Sequence, residues 1–141
     1  MMKDNIDKLL DQLKRHEGVE KMPYVDTVGK MTIGVGRNLD DNGLRDNEIE
    51  FLLMNDIAAV IEEAKTYDWY DGLSGERKSV IVNMIFNLGK PRFDLFQKFQ
   101  QALSDGDYQK ASDEMLDSKW AKQVGQRAVE LSMQMQKGQW Q

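Results

Sequence analysis

The chain contains no cysteine, which excludes a disulfide framework and a thiolate metal site. Its single histidine, His16, excludes a multi-histidine metal centre. Positive charge is in deficit. Nineteen Lys and Arg (19) stand against 24 Asp and Glu, for a formal net charge of −5 and a sequence pI near 4.9. That balance argues against nucleic acid as the main partner. No apolar run approaches the roughly 20 residues of a membrane-spanning helix. The opening stretch, MMKDNIDKLLDQLKRH, carries charge throughout and lacks the uninterrupted apolar segment of a secretory signal. Internal repeats, low-complexity tracts and flexible interdomain linkers are also missing from the sequence.

What remains is a chain of 141 residues with 40% apolar content, the size of one domain with room for two lobes and a sizeable core. Apolar positions at Ile6, Leu9, Leu10 and Leu13 predict a helix over 5–17, capped at Asp4 or Asn5 and stopped at Gly18. Short strands with turns are expected over 22–39, with a turn at Asp26-Thr27-Val28-Gly29. In the second strand, Gly34 and Gly36 remove side chains where something approaches closely. A polar loop is expected over 37–43. A helix over 46–67 is predicted to start at an Asp46 cap and to bury Ile49, Leu52, Leu53, Ile57, Val60 and Ile61. The aromatic segment Tyr67-Asp68-Trp69-Tyr70 reads as a packing plug. Ser74 caps a strongly apolar helix that ends at Gly89 with Pro91 beyond it. On that helix Asn83 and Asn87 lie one turn apart on one face, either as satisfied core amides or facing a cleft. Further helices are expected over 94–103, 107–116 and 126–136. Met115, Met133 and Met135 read as core filler.

The chemistry concentrates between Glu17 and Gly36. Glu17 closes the first helix, where the helix dipole disfavours a negative charge. Asp26 follows across a turn. Two carboxylates bracketing a turn are what glycosidic hydrolysis needs, one to protonate the leaving oxygen and one to activate water or stabilise positive charge.

The motif Glu17-Gly18, Tyr24-x-Asp26 and Gly29-x-x-Thr32-Ile33-Gly34-x-Gly36 resembles the catalytic segment of the phage-type lysozymes, the bacteriophage T4 lysozyme family of endo-acting muramidases. Asn83-Met84-Ile85-Phe86-Asn87-Leu88-Gly89 is similar to that family's central helix, and Ser118-Lys119-Trp120 with Arg127 to its late segment. The resemblance implies an α+β, lysozyme-like fold, with lobes roughly over 1–45 and 46–141. The small N-terminal lobe holds a helix and a short antiparallel sheet, the C-terminal lobe is mostly helical, and a cleft runs between them. It implies Glu17, Asp26 and Thr32 as catalytic residues, and Asn38, Phe86 and Asn87 as substrate contacts. Arg127 is implied as a supporting residue behind Glu17. Neither a metal nor a cofactor is expected.

The activity implied is inverting hydrolysis of the β-1,4 bond between N-acetylmuramic acid and N-acetylglucosamine in peptidoglycan, leading to lysis of a bacterial host. Peptidoglycan glycan strands are then the partner. The chain is expected to be a monomer without stable membrane insertion. It would be made in the host cytoplasm and released to the periplasmic wall with the help of a holin. Two other readings stand beside this one. A lysozyme-like binding module in a phage tail or effector assembly would not need the full Glu/Asp/Thr set. A lytic transglycosylase would need the acid but no water-activating carboxylate.

Overall fold

Gly18 ends the first helix. The computed structural model, which describes residues 2–141, runs α1 over Lys3–Glu17, and Gly18, at φ +80°, returns its N–H to Lys14 O at 3.0 Å. The start departs from expectation. Neither Asp4 nor Asn5 is the cap; both lie inside the helix, and the capping position is Met2, with no side-chain bond. Asp4 in the first turn still interacts favourably with the helix dipole.

The chain divides into two units, Met1–Phe51 and Leu52–Gln141. In the first, β1 (Glu20–Val25), β2 (Met31–Gly34) and β3 (Arg37–Asn38) form an antiparallel sheet in the order β1-β2-β3. Tyr24 pairs with Thr32 and Val25 with Met31, but the register slips between Glu20 and Tyr24. Pro23 lies in that interval and has no N–H to give to the ladder. The β1–β2 turn is tied by Asp26, whose N–H donates to Lys30 O at 2.9 Å, with Gly29 at φ +83°.

The polar loop expected over 37–43 is instead β3 followed by a one-turn helix, α2 (Leu39–Asn42). Asn38 caps it by accepting the Asp41 N–H at 3.0 Å, and Gly43 closes it. Next comes α3, Asp46–Ala64. Asp46 is its first helical residue rather than its cap. Glu48 accepts the Arg45 N–H at 2.7 Å, the reciprocal half of a capping box, so the cap falls at Arg45.

The C-terminal unit holds the core. After α3 the residues Tyr67 to Leu73 form successive turns, with Tyr67 and Trp69 stacked 4.9 Å apart and Tyr70 buried, the plug that the aromatic segment predicts. α4 (Gly75–Leu88) is capped by Ser74 and ended by Gly89. It buries Val80, Ile81, Met84, Ile85 and Leu88. α5 (Lys90–Phe93), α6 (Gln97–Ser104), α7 (Tyr108–Leu116), α8 (Lys119–Val124) and α9 (Gln126–Lys137) complete it. Phe93 and Phe99 meet edge to face within the core, and Phe96 packs between Phe99 and Trp120.

Three differences from the sequence reading have physical causes. The helix expected over 94–103 starts only at Gln97, because the Asp94 carboxylate is held by the Tyr67 hydroxyl and Lys90. The segment before α9 contains α8, capped by the Ser118 hydroxyl on Ala121 N–H at 3.1 Å. The stripe of α3 is not buried as a whole. Ile57, Val60 and Ile61 are half-buried, while Leu52 and Leu53 are exposed, since Leu53, Ile57 and Ile61 line an open groove. Met115 and Met135 fill the core as read; Met133 is exposed. Among the described residues no helix is long and apolar enough to cross a membrane.

Candidate functional site

The Glu17 side chain is exposed at the end of α1 and lies over the turn between β2 and β3. A Cβ built on Gly36 would stand 2.9 Å from Glu17 Oε2 and 3.3 Å from its carboxyl carbon. A side chain at 36 would make the Glu17 carboxylate, the far end of an exposed side chain, shift, and at φ +65° the backbone there favours glycine. Gly36 is thus the close approach that its place in the sequence suggests. Gly34, also at positive φ, has open space around it.

Asp26 and Thr32 are joined through one residue, Lys30. The Lys30 N–H donates to Asp26 Oδ1 at 2.9 Å, and Val28 N–H donates to the same oxygen at 2.9 Å. The Lys30 carbonyl accepts from Asp26 N–H at 2.9 Å and from Thr32 Oγ1 at 2.9 Å. Asp26 Oδ2 has no partner among the described residues. Thr32 is 3% exposed, the one fully buried residue of the N-terminal unit among those described. Its hydroxyl hydrogen is spent on Lys30, so Oγ1 can offer only a lone pair to anything else.

The Lys30 ammonium pairs with Asp41 at 3.0 Å. This hydrogen bond, first among the causes, raises the Lys30 pKa and lowers that of Asp41. Asn38 stands opposite Thr32 in the β2–β3 ladder. Both ends of its amide go to Asp41, Oδ1 accepting the backbone N–H and Nδ2 donating to Oδ2 at 2.8 Å. A sugar contact from Asn38 would use its second amide hydrogen or second lone pair.

A model of the phage lysozyme family matches residues 14–136, a span that contains all of these groups. The chain belongs to the phage lysozyme family. It is similar to the probable T4-type lysozyme 2 of Dictyostelium discoideum, with 26% identity over 153 aligned positions covering 87% of this chain and 90% of that protein. Membership makes it a glycoside hydrolase of muramidase type, with peptidoglycan as its class of substrate.

The candidates in the C-terminal unit of this lysozyme-family chain fall into two sets. Phe86, 44% exposed, lines a groove of about 470 Å³ with Val82, Asn83, Arg127 and Leu131. Phe86 is therefore not a core residue. Arg127 donates from Nε and Nη2 to Asn83 Oδ1, at 3.0 and 2.7 Å. Asn87 is exposed, and its Oδ1 accepts from the buried Trp120 Nε1–H at 2.8 Å. The two asparagines that share one face of α4 are each a peg for a different part of the late segment.

Sequence reasoning missed Arg37 and Glu48. They form a two-pronged ion pair, which lowers Glu48 to a pKa of about 2 through the Arg37 hydrogen bond first and the Arg45 N–H second. The only sequence signal for it was Glu48 three residues after Arg45, the spacing of a capping box.

Proposed function

We propose that this chain hydrolyses the β-1,4 bond between N-acetylmuramic acid and N-acetylglucosamine with inversion, and that this activity serves lysis of a bacterial host. Glu17 is assigned as general acid. It gives its proton to the glycosidic oxygen as the bond to the anomeric carbon breaks. Asp26 is the base that takes one proton from the attacking water, and the hydroxide equivalent adds to the anomeric carbon from the opposite face. The proton on Asp26 then returns through solvent to Glu17, which balances the cycle.

The observation that supports this reading is that Asp26 and Thr32 are both bonded to Lys30 while Asp26 Oδ2 has no partner among the described residues and the Thr32 hydroxyl hydrogen is already committed, so that each has lone pairs to offer a water. A water that donates one hydrogen to each has its oxygen lone pair left for attack. Oδ1 is held by two backbone N–H groups, so the carboxylate cannot rotate away without losing both. In the C-terminal unit, glycan contact is assigned to the exposed ring of Phe86 and to the Asn87 amide hydrogens, whose carbonyl oxygen is already taken by Trp120. Arg127, anchored on Asn83, is assigned a supporting role.

The test is turnover of purified peptidoglycan by the wild type and by Glu17→Gln. Loss of the general acid should lower the rate by at least about 100-fold while circular dichroism stays that of the wild type. Early products followed by proton NMR should carry a reducing α-anomer from the β-linked substrate. A β-anomer refutes inversion, a 1,6-anhydro end refutes hydrolysis, and a Glu17→Gln rate near wild type refutes the acid.

A further inference from the structure

Arg37 joins three segments of the N-terminal unit. Its Nη1 donates to Glu48 Oε1 at 2.9 Å and to Gly43 O at 3.1 Å, while Nη2 meets Glu48 Oε2 at 2.5 Å. Glu48 Oε1 at the same time accepts the Arg45 N–H. One ion pair thus ties β3 to the glycine that closes α2 and to the first turn of α3. The two side chains are only 27% and 30% exposed. A planar guanidinium facing a carboxylate through two bonds fixes orientation as well as distance.

What the fork holds in place is the residue before it. Gly36 precedes Arg37 directly, and the ladder pair of Ile33 with Arg37 closes the turn in which Gly36 lies. The Glu17 carboxylate lies over that turn, close enough that a Cβ built on Gly36 would stand 2.9 Å from Oε2. A displacement of Arg37 would move Gly36 and so change the space open to the Glu17 carboxylate above it. Lys30 and Asp41 cannot substitute, because their pair ties the residue before β2 to α2 and leaves the β2–β3 turn alone.

We propose that the Arg37–Glu48 pair is a positioning device for Glu17, fixing the Gly36 turn and through it the acid's carboxylate. Arg37 is a positioning residue and not a catalytic one, since it touches no reacting group. The inference rests on the assignment of Glu17 as general acid. Glu48 stays ionised throughout the neutral range, its pKa being about 2, so the device is constant wherever the enzyme works.

The experiment measures kcat and KM separately for Arg37→Lys and Glu48→Gln on soluble peptidoglycan fragments, with the folded fraction fixed by circular dichroism. Lysine keeps the charge and loses the fork. Glutamine keeps an acceptor for Arg45 and loses the ion pair, and it carries the test if the lysine variant fails to fold. Each variant should lose about tenfold in kcat, as a sub-ångström misplacement of a reacting group does, with KM within about twofold. The double variant should fall no further than the worse single one. Lys65→Met, which removes an exposed pair with Glu62, should keep the wild-type kcat. Wild-type kcat in both variants, or a loss carried by KM alone, overturns the proposal. Glu17→Gln run in parallel separates the two failures. If it is inactive while the Arg37 and Glu48 variants are not, only the positioning role falls; if it is active, the acid assignment falls with it.

Discussion

Asn87→Ala should destabilise the protein by about 2 kcal/mol. The size follows from an asymmetry in burial. Trp120 is 3% exposed and donates its indole N–H to Asn87 Oδ1 at 2.8 Å, whereas Asn87 itself is exposed. Truncation at 87 strands a buried donor, which costs about 1–3 kcal/mol. Removal of the donor instead, by Trp120→Phe, leaves an acceptor that water can reach, so the hydrogen-bond part of that cost is small. The alanine at 87 should then cost almost nothing in the Trp120→Phe background, and the cycle should return a coupling energy of about 1–2 kcal/mol. Thermal unfolding followed by circular dichroism reads this as a fall in Tm of about 4–8 °C, at roughly 2–4 °C per kcal/mol for a chain of this size. If Asn87→Ala lowers Tm equally in both backgrounds, or by less than about 1 °C in the wild type, Asn87 is not the peg that holds Trp120.

Thr32→Val keeps the shape of a 3% exposed side chain and removes the hydroxyl, so stability should change by no more than about 1–2 kcal/mol while kcat falls; an unchanged kcat in the folded variant would remove Thr32 from the water site. Acid should weaken the fold partly through Glu48, whose folded pKa is lowered from 4.5 to about 2 by the Arg37 fork. The unfolded chain binds the proton more readily, so stability from this group is present in full above about pH 4.5 and is lost progressively toward pH 2. Glu48→Gln should flatten the dependence of Tm on pH in that window, and an unchanged slope would show that other carboxylates set it.

The fold was legible where local chemistry decides it. Gly18, Gly89 and Gly138 each stop a helix by returning an N–H to a carbonyl of the preceding turn, and the stretch from Asp26 to Gly29 makes the turn its residues favour. Ser74 and Asp107 cap helices through their side-chain oxygens. The misses arose where a remote partner overrides local preference. Asp94 reads as a helix start because aspartate is a good cap, yet its carboxylate is engaged by Tyr67, which is 27 positions away. Likewise Asp46 reads as a cap, but the Glu48 carboxylate reaches back to Arg45 and moves the boundary by one residue.

The same division runs through the site. Glu17, Asp26 and Thr32 are marked by the resemblance of the motif that contains them, and the groups around them lie in that same stretch: Lys30 binds both Asp26 and Thr32, and the glycine beside Glu17 belongs to the motif itself. The Arg37–Glu48 pair could not be singled out. With 19 cations and 24 anions in the chain, nothing marks a pairing across 11 positions until β3 and α3 are brought together. Spacing on α4 showed that Asn83 and Asn87 share a face but not what meets them there. The structure gives Arg127 to one and Trp120 to the other, so the late segment is fastened to the central helix at two successive turns. A substitution at either asparagine therefore acts on the late segment as well as on any sugar contact, and a rise in KM alone cannot be read as a lost contact unless stability is measured alongside it.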